Sequence, residues 1–174
     1  MRFMGRHLNT CKSFVSKYLS RPWAIEDGVP KASVDSAATN LGILIPGALR
    51  DFYISVGAVE DLCSIHNHIL RPEALGMEEG YLVFADENQS VVSWGIRKAD
   101  LRRSDPQIWQ RNNNSDEWYA EEKSFLQFLT SMFDWYAELG VWKHQADLLR
   151  QGRPVCSPIS KRKFAASRPR GSSR

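Results

Sequence analysis

The chain has 174 residues but only three cysteines, and their spacing excludes the common forms of cysteine chemistry. Cys11, Cys63 and Cys156 lie far apart and form no CxxC pair, so the sequence indicates neither a zinc knuckle nor a redox dithiol. An odd number of scattered thiols is typical of a reducing compartment. We therefore expect free thiols and a cytoplasmic protein.

Long apolar runs are also lacking. No segment approaches the roughly 18 consecutive apolar residues that a membrane-spanning helix needs, so no membrane partner is expected. Arg2 and Arg6 stand near the N-terminus without a continuous apolar stretch after them, which argues against a secretory signal. The length and the ordinary composition predict one globular domain with tails.

The common catalytic and nucleotide-binding motifs are missing too. Neither GxGxxG nor GxxxxGK[ST] occurs, and no serine stands in a GxSxG turn. His66 and His68 offer two metal ligands on one side of an extended segment, but no third ligand is evident. Cys63 with His66 lacks a third group that would orient the base.

Two pairs of adjacent carboxylates remain as candidates for acid–base chemistry. They are Glu78-Glu79 and Asp86-Glu87, and both stand in predicted loops, where neighbouring carboxylates usually face water. The sequence therefore predicts that the protein is not an enzyme and that it has no cofactor, no metal site and no catalytic residues.

Positive charge is concentrated at the two ends of the chain. Residues 1–21 hold five Lys and Arg, residues 151–174 hold seven, and neither segment has an acidic residue. Removing these twelve from the total of 23 leaves 11 basic against 20 acidic residues in 22–150, a net charge of −9. A body of that sign repels nucleic acid and attracts basic partners. Nucleic acid is expected to bind only weakly, through the basic C-terminal segment.

A β-hairpin is the clearest local pattern. Two apolar runs, at residues 81–84 and 91–94, flank the polar loop Asp86-Glu87-Asn88-Gln89. Short strands are also predicted at 68–70, 108–111 and 117–119, with connecting loops at 58–67 and 76–80. The acceptors of the hairpin loop either hold a partner or satisfy the backbone of the loop itself.

Helices are predicted on both sides of the hairpin. Apolar residues recur at helical spacing over 8–20, and Ser33 is a potential N-cap of a short helix that ends at Gly42. Pro46 opens a further helix that ends at Gly57. A capping box at Ser124 opens a helix over 125–139 that is apolar on every side. A weaker helix is predicted at 143–151, and disorder from residue 152 onwards.

A longer pattern runs through these elements over roughly residues 25–140. It consists of Leu41-Gly42, Pro46, Leu49, Phe52-Tyr53 and Gly57, then Leu82-Val83-Phe84, Glu87-Asn88-Gln89 and Trp94-Gly95-Ile96, and finally Asp105-Pro106, Ile108-Trp109, Trp118 and the helix from Ser124. In its order and spacing this pattern resembles the SUKH superfamily, which includes Smi/Knr-type cell-wall regulators and many bacterial immunity proteins.

The resemblance implies a single α+β domain, with a central, mainly antiparallel sheet and helices packed against it. That domain would occupy residues 22–150, between a basic amphipathic helix at 1–21 and a basic tail at 151–174. It also implies a non-catalytic protein-binding module, and most directly an immunity protein that neutralises a polymorphic toxin of the nuclease or deaminase type. The alternative is a regulatory scaffold of the Smi/Knr type that binds cellular partners. The acidic body suits a basic toxin domain as partner.

The candidate partner-binding residues are Glu78, Glu79, Asp86, Glu87, Asn88, Gln89 and Trp94. Glu87, Asn88, Gln89 and Trp94 have an alternative role in the scaffold, through loop hydrogen bonds and core packing. Because the family pattern itself contains those four, Glu78 and Glu79 are the better candidates for contact.

Overall fold

The computed structural model of the chain describes residue 5 and residues 7–115 and 117–142. The helices in this part are α1 (Leu8–Leu19), α2 (Lys31–Leu41), α3 (Gly47–Val56), α4 (Glu60–Cys63) and α5 (Phe125–Glu138). The strands are β1 (His68–Ile69), β2 (Gly76–Glu78), β3 (Tyr81–Asp86), β4 (Val92–Arg97), β5 (Gln107–Asn112) and β6 (Trp118–Ser124). The predicted helix at 143–151, the tail and Cys156 lie outside the described residues.

The strands form one antiparallel sheet around the predicted hairpin. The strand order is β1-β3-β4-β5-β6, and β2 pairs with the half of β3 that β1 leaves free. The hairpin register places Leu82 opposite Ile96 and Ala85 opposite Trp94, with a β-bulge at Phe84 between them. A mainly antiparallel sheet combined with helices confirms the predicted α+β class.

The helices pack on one face of this sheet. Phe125 of α5 lies edge-on to Phe84 of the sheet and to Phe52 of α3, with ring centroids 5.2 and 6.0 Å apart. Phe14 of α1 contacts Phe133 of α5 in the same way at 5.3 Å. All five rings are buried, so one continuous core joins α1 to α3, α5 and the sheet.

Local signals set several element ends as predicted. Gly42 ends α2 in the left-handed conformation at φ +63°. At the start of α5, the Ser124 hydroxyl accepts a hydrogen bond from the Gln127 amide, and the Gln127 side chain accepts one from the Ser124 amide, which confirms the capping box. Within the described residues, no helix is long and apolar enough to cross a bilayer.

Three local predictions were wrong. Helix α2 begins at Lys31 with Pro30 at its N-cap, so Ser33 lies inside the first turn; the fixed φ of proline starts the helix without a side-chain cap. The predicted loop at 58–67 contains α4, which burial of Leu62 and Cys63 stabilises. The predicted loop at 76–80 contains β2, which forms because β3 offers it a free edge.

Candidate protein-binding face

The sheet face opposite the helices carries large aromatic and basic side chains. Cross-strand pairing sets Tyr81 beside Arg97 and Arg111 beside Trp118, and it sets Trp109 beside a glycine. Tyr81, Trp109 and Trp118 take no part in the helix-side core of the described residues. We call these five residues, Tyr81, Arg97, Trp109, Arg111 and Trp118, the aromatic face.

The rings of the aromatic face form one contiguous layer. Tyr81 stacks on Trp118 with centroids 4.3 Å apart and an interplanar angle of 13°, and it meets Trp109 at 5.7 Å. The Arg97 guanidinium lies 5.3 Å from the centroid of the Trp109 ring, and that of Arg111 lies 5.0 Å from the centroid of the Trp118 ring. Cation–π contacts of this kind fix the planar side chains in place.

Gly95 in β4 allows this layer to lie directly on the sheet. A Cβ atom at this position would be 3.0 Å from two atoms of the Trp118 ring and 3.2 Å from the Leu82 carbonyl oxygen. Val83 of β3 is 2% exposed but does not belong to the helix-side core, because its side chain lies on the same face as the aromatic layer. The sheet thus buries apolar groups on both faces.

Glu78 and Glu79 form the rim of the aromatic face. Arg111 makes ion pairs with Glu78 at 2.5 Å and with Glu79 at 3.4 Å, and the Trp118 indole nitrogen donates a hydrogen bond to Glu79 at 3.2 Å. Arg111 is held tightly, with 12% of its side chain exposed, whereas the two carboxylates stay 41% and 46% exposed. The better sequence candidates therefore lie next to the aromatic face and are reachable by a partner.

Asp86 and Glu87 lie at the other end of β3. The Ser93 hydroxyl donates a hydrogen bond to Asp86 at 2.6 Å. The Glu87 carboxylate accepts hydrogen bonds from the backbone amides of Gln89 and Val91, at 3.0 and 3.3 Å. Glu87 thus satisfies the backbone of its own loop, which is the scaffold role that the sequence left open for it.

The remaining two candidates differ in exposure. Gln89 is exposed, whereas Asn88 is half-buried, and its side-chain oxygen has no hydrogen-bond partner among the described residues. Six residues of β3 separate this loop from the Glu78-Glu79 rim, a distance of about 20 Å at strand spacing. The carboxylate candidates therefore form two separate groups and not one acidic cluster.

Trp94 is part of the core. Its ring meets that of Phe128 in α5 at 5.4 Å, its indole nitrogen donates a hydrogen bond to Glu121 at 3.2 Å, and the residue is 9% exposed. Its place on the helix side of the sheet gives it the scaffold role and leaves little of it for a partner to touch.

A Ser–His–Asp grouping lies between α1 and α3. The imidazole Nε2 of His7 is 2.9 Å from the Ser104 hydroxyl. Asp51, however, accepts a hydrogen bond from the backbone amide of His7 at 2.9 Å, so this carboxylate does not orient the ring as a catalytic triad requires. Asp51 is 1% exposed and lies at the N-terminus of α1, where the helix dipole favours a negative charge. The grouping therefore joins two helices.

The other candidates for chemistry are packed into the core or beside it. The His66 ring lies 5.4 Å from the rings of both Trp135 and Tyr136. Burial raises the pKa of the Cys63 thiol to about 12, so it stays protonated and is a poor nucleophile. Across the described part of the chain, no group of three or more His, Cys, Asp or Glu is arranged to hold a metal ion.

Comparisons of this chain with family models, with curated proteins and with solved structures give no match.

Proposed function

We propose that this chain is a non-catalytic protein-binding module whose contact surface is the aromatic face. The observation that carries this proposal is the composition of that face, with Tyr81, Trp109 and Trp118 interleaved with two arginines on a sheet face that no described helix covers. Tyr, Trp and Arg are the residue types that dominate the binding energy of protein interfaces. Rigid stacking lowers the entropy cost of ordering them on binding.

The partner that the charge distribution favours is a basic protein. Residues 22–150 carry a net charge of −9, and the rim carboxylates Glu78 and Glu79 stand beside the aromatic face with much of their surface open to solvent. Complementary charge accelerates the encounter and disfavours acidic competitors. A stable complex would bury on the order of 1,200–2,000 Å² in total.

Within this class, the specific function we propose is that of an immunity protein. It would bind a cognate toxin of the nuclease or deaminase type and cover its active site. Support comes from the resemblance of residues 25–140 to the SUKH pattern and from an α+β fold of the kind that this resemblance implies. Toxins that act on nucleic acid need positive charge near their active sites, which suits an acidic inhibitor.

The immunity function requires a cognate toxin, and the first place to look for it is the open reading frame beside this gene. The experiment is a titration of the full chain against a toxin domain encoded there. We expect one-to-one binding in the nanomolar range and loss of toxin activity at equimolar ratio. A toxin that keeps full activity with this protein in excess would contradict the immunity function. Binding to several cellular proteins but not to the toxin would support a regulatory scaffold of the Smi/Knr type instead.

A further inference from the structure

Among the strands that the structure describes, β6 forms one edge of the sheet. It pairs with β5 on one side, and no described residue makes backbone hydrogen bonds to its other side. The opposite edge is divided between β1 and β2, which are only two and three residues long. Unpaired amides and carbonyls along an exposed strand are a template for a further strand. Strand β6 therefore offers the longer docking edge.

The regular part of this edge is short and acidic. Trp118, Tyr119 and Ala120 pair in register with β5, and the left-handed Glu122, at φ +56°, ends the regular ladder. The sequence from 116 to 122 has four acidic residues and no basic one. Of these, Glu117, Glu121 and Glu122 form no ion pair with any described residue. The unneutralised charge favours a basic strand.

Aromatic side chains flank the edge on both faces of the sheet. Trp118 belongs to the aromatic face, and Tyr119 points to the other side with 51% of its surface exposed. Its hydroxyl donates a hydrogen bond to Glu117, which holds the ring along the edge. An added strand would place alternate side chains beside Trp118 and beside Tyr119.

A second copy of this chain does not suit the edge. Antiparallel pairing of two β6 strands about Tyr119 would place Glu117 of one copy opposite Glu121 of the other. Like charges at directly opposite positions destabilise a strand pair. Pairing of β6 with the β6 strand of a second copy is therefore unfavourable.

We propose that β6 binds an extended, basic segment of the partner protein by strand addition. The backbone groups of β6 would supply the affinity, and Glu117, Glu121 and Glu122 would select Lys and Arg at the facing positions. This proposal rests on the proposed function, because it assigns the bound protein a second contact beside the aromatic face.

The test uses the full chain and a synthetic probe, the capped peptide with alternating Lys and Val over seven residues. Hydrogen exchange followed by NMR reports each backbone amide of β6. We expect the peptide to slow exchange at the outward amides of residues 117–121. The same peptide with Glu in place of Lys should leave them unprotected, and so should a basic analogue that is N-methylated at every internal residue. Equal protection by the methylated analogue would show charge attraction without strand pairing and would overturn the proposal.

A matched pair of variants separates the edge from net charge. Glu117→Lys with Glu122→Lys should weaken peptide binding by about tenfold or more, because two attractive charges become repulsive. Glu26→Lys with Glu73→Lys makes the same change in net charge at exposed sites elsewhere and should change binding by less than about twofold. Equal losses in both variants would contradict the assignment to β6.

Further outcomes of the exchange experiment separate failure of strand addition from failure of the proposed function. The outward β6 amides could be protected even without peptide and lose this protection when residues 151–174 are deleted. That result would mean that the edge holds the chain's own tail, and it would overturn the proposal. Protection that rises with protein concentration alone would mean a second copy. A complex with the toxin domain in which β6 still exchanges freely would overturn strand addition and leave the proposed function standing. Peptide binding at β6 without any toxin binding would support strand addition and contradict the proposed function.

Discussion

At the scale of the residue, the absence of a side chain at one position in β4 allows the aromatic rings to lie directly on the sheet. Gly95 leaves the space that the Trp118 ring occupies, and the stack with Tyr81 depends on that position. The backbone around Gly95 is an ordinary strand, so its role here is close approach and not a special dihedral angle.

Substitution Gly95→Ala is therefore expected to displace Trp118 and to lower the free energy of unfolding by about 1–3 kcal/mol, as overpacking does in a close-packed site. Urea titration followed by tryptophan fluorescence measures both effects. The matched control is Gly76→Ala, because an added Cβ there meets nothing within 4 Å. Equal stability of the two variants would mean that Trp118 does not rest on the sheet.

Asp51 is the buried carboxylate that joins α1 to α3. Substitution Asp51→Ala should lower the free energy of unfolding by about 1–2 kcal/mol, because it removes the acceptor at the N-terminus of α1. Asp51→Asn keeps an acceptor and should lower it less. Chemical denaturation of both variants checks the order, and a reversed order would contradict the capping role.

Asp27 gives a predicted dependence of stability on pH. Hydrogen bonds from Arg21, at 2.7 and 2.9 Å, hold the pKa of this carboxyl below its usual value. Because the pKa of Asp27 is lower in the folded state than in the unfolded state, its ionised carboxylate stabilises the fold at pH values above the unfolded-state pKa, about 3.9. This contribution is lost as the pH falls through the folded-state pKa.

Substitution Arg21→Gln should accordingly flatten the loss of stability below about pH 4, measured as the urea midpoint at successive pH values. Lys98→Gln is the control, since Lys98 is exposed and forms no ion pair in the described structure. A profile for Arg21→Gln that is parallel to the wild type would show that this pair does not contribute.

At the scale of the element, the sequence predicts those parts whose signals are local. Helix α1, the hairpin of β3 and β4, and α5 with its capping box all follow from periodicity and from residues at the element ends. Strand β2 and helix α4 do not, because three or four residues carry no period, and only pairing with β3 or burial of Leu62 makes them regular.

The aromatic face was missed for a related reason. Trp109 and Trp118 each stand in a short predicted strand, but nothing local shows which face of the sheet they occupy or that the Tyr81 ring contacts both of them. The pairing register of the strands determines which rings meet. This register depends on bulges in β3 and β6 that no local sequence pattern indicates. The carboxylate candidates, by contrast, were chosen for their chemistry alone, and strand β3 separates them into two groups.

Helix α5 offers a test at this scale. Its first turn is held by Ser124 and also by Asp105, which accepts hydrogen bonds from the Ser124 hydroxyl at 2.7 Å and from the Leu126 amide at 3.1 Å. Asp105→Ala should therefore lower the free energy of unfolding by about 1–2 kcal/mol and Ser124→Ala by about 1 kcal/mol. A double-mutant cycle should show coupling between them. Strict additivity would mean that the two caps act independently.

At the scale of the whole molecule, long-range charge and local contact are separate properties. The full chain has a net charge of +3, but residues 22–150 have a net charge of −9, which acts at a distance. Many individual carboxylates are already paired with a cation, as in the pairs of Asp35 with Arg50, Glu60 with Arg71 and Asp134 with Lys17. Under the proposed function, the charge of residues 22–150 would steer the partner, and the aromatic face would supply the contact.

An exposed tryptophan on the helix side of the sheet provides a control for substitutions in the aromatic face. Trp135 of α5 is 45% exposed and lies beside His66, apart from the aromatic face. Replacing it by Ala removes the same indole as a substitution at Trp109 does, without touching the proposed contact.

The most direct test is the calorimetric dissociation constant for the toxin domain that the proposed function requires, measured for Trp109→Ala and Trp135→Ala with folding of each variant confirmed by circular dichroism. A central aromatic contact is worth about 2 kcal/mol or more, so Trp109→Ala should weaken binding by about 30-fold and Trp135→Ala by less than about twofold. Full affinity in Trp109→Ala, or a loss confined to Trp135→Ala, would contradict binding through the aromatic face.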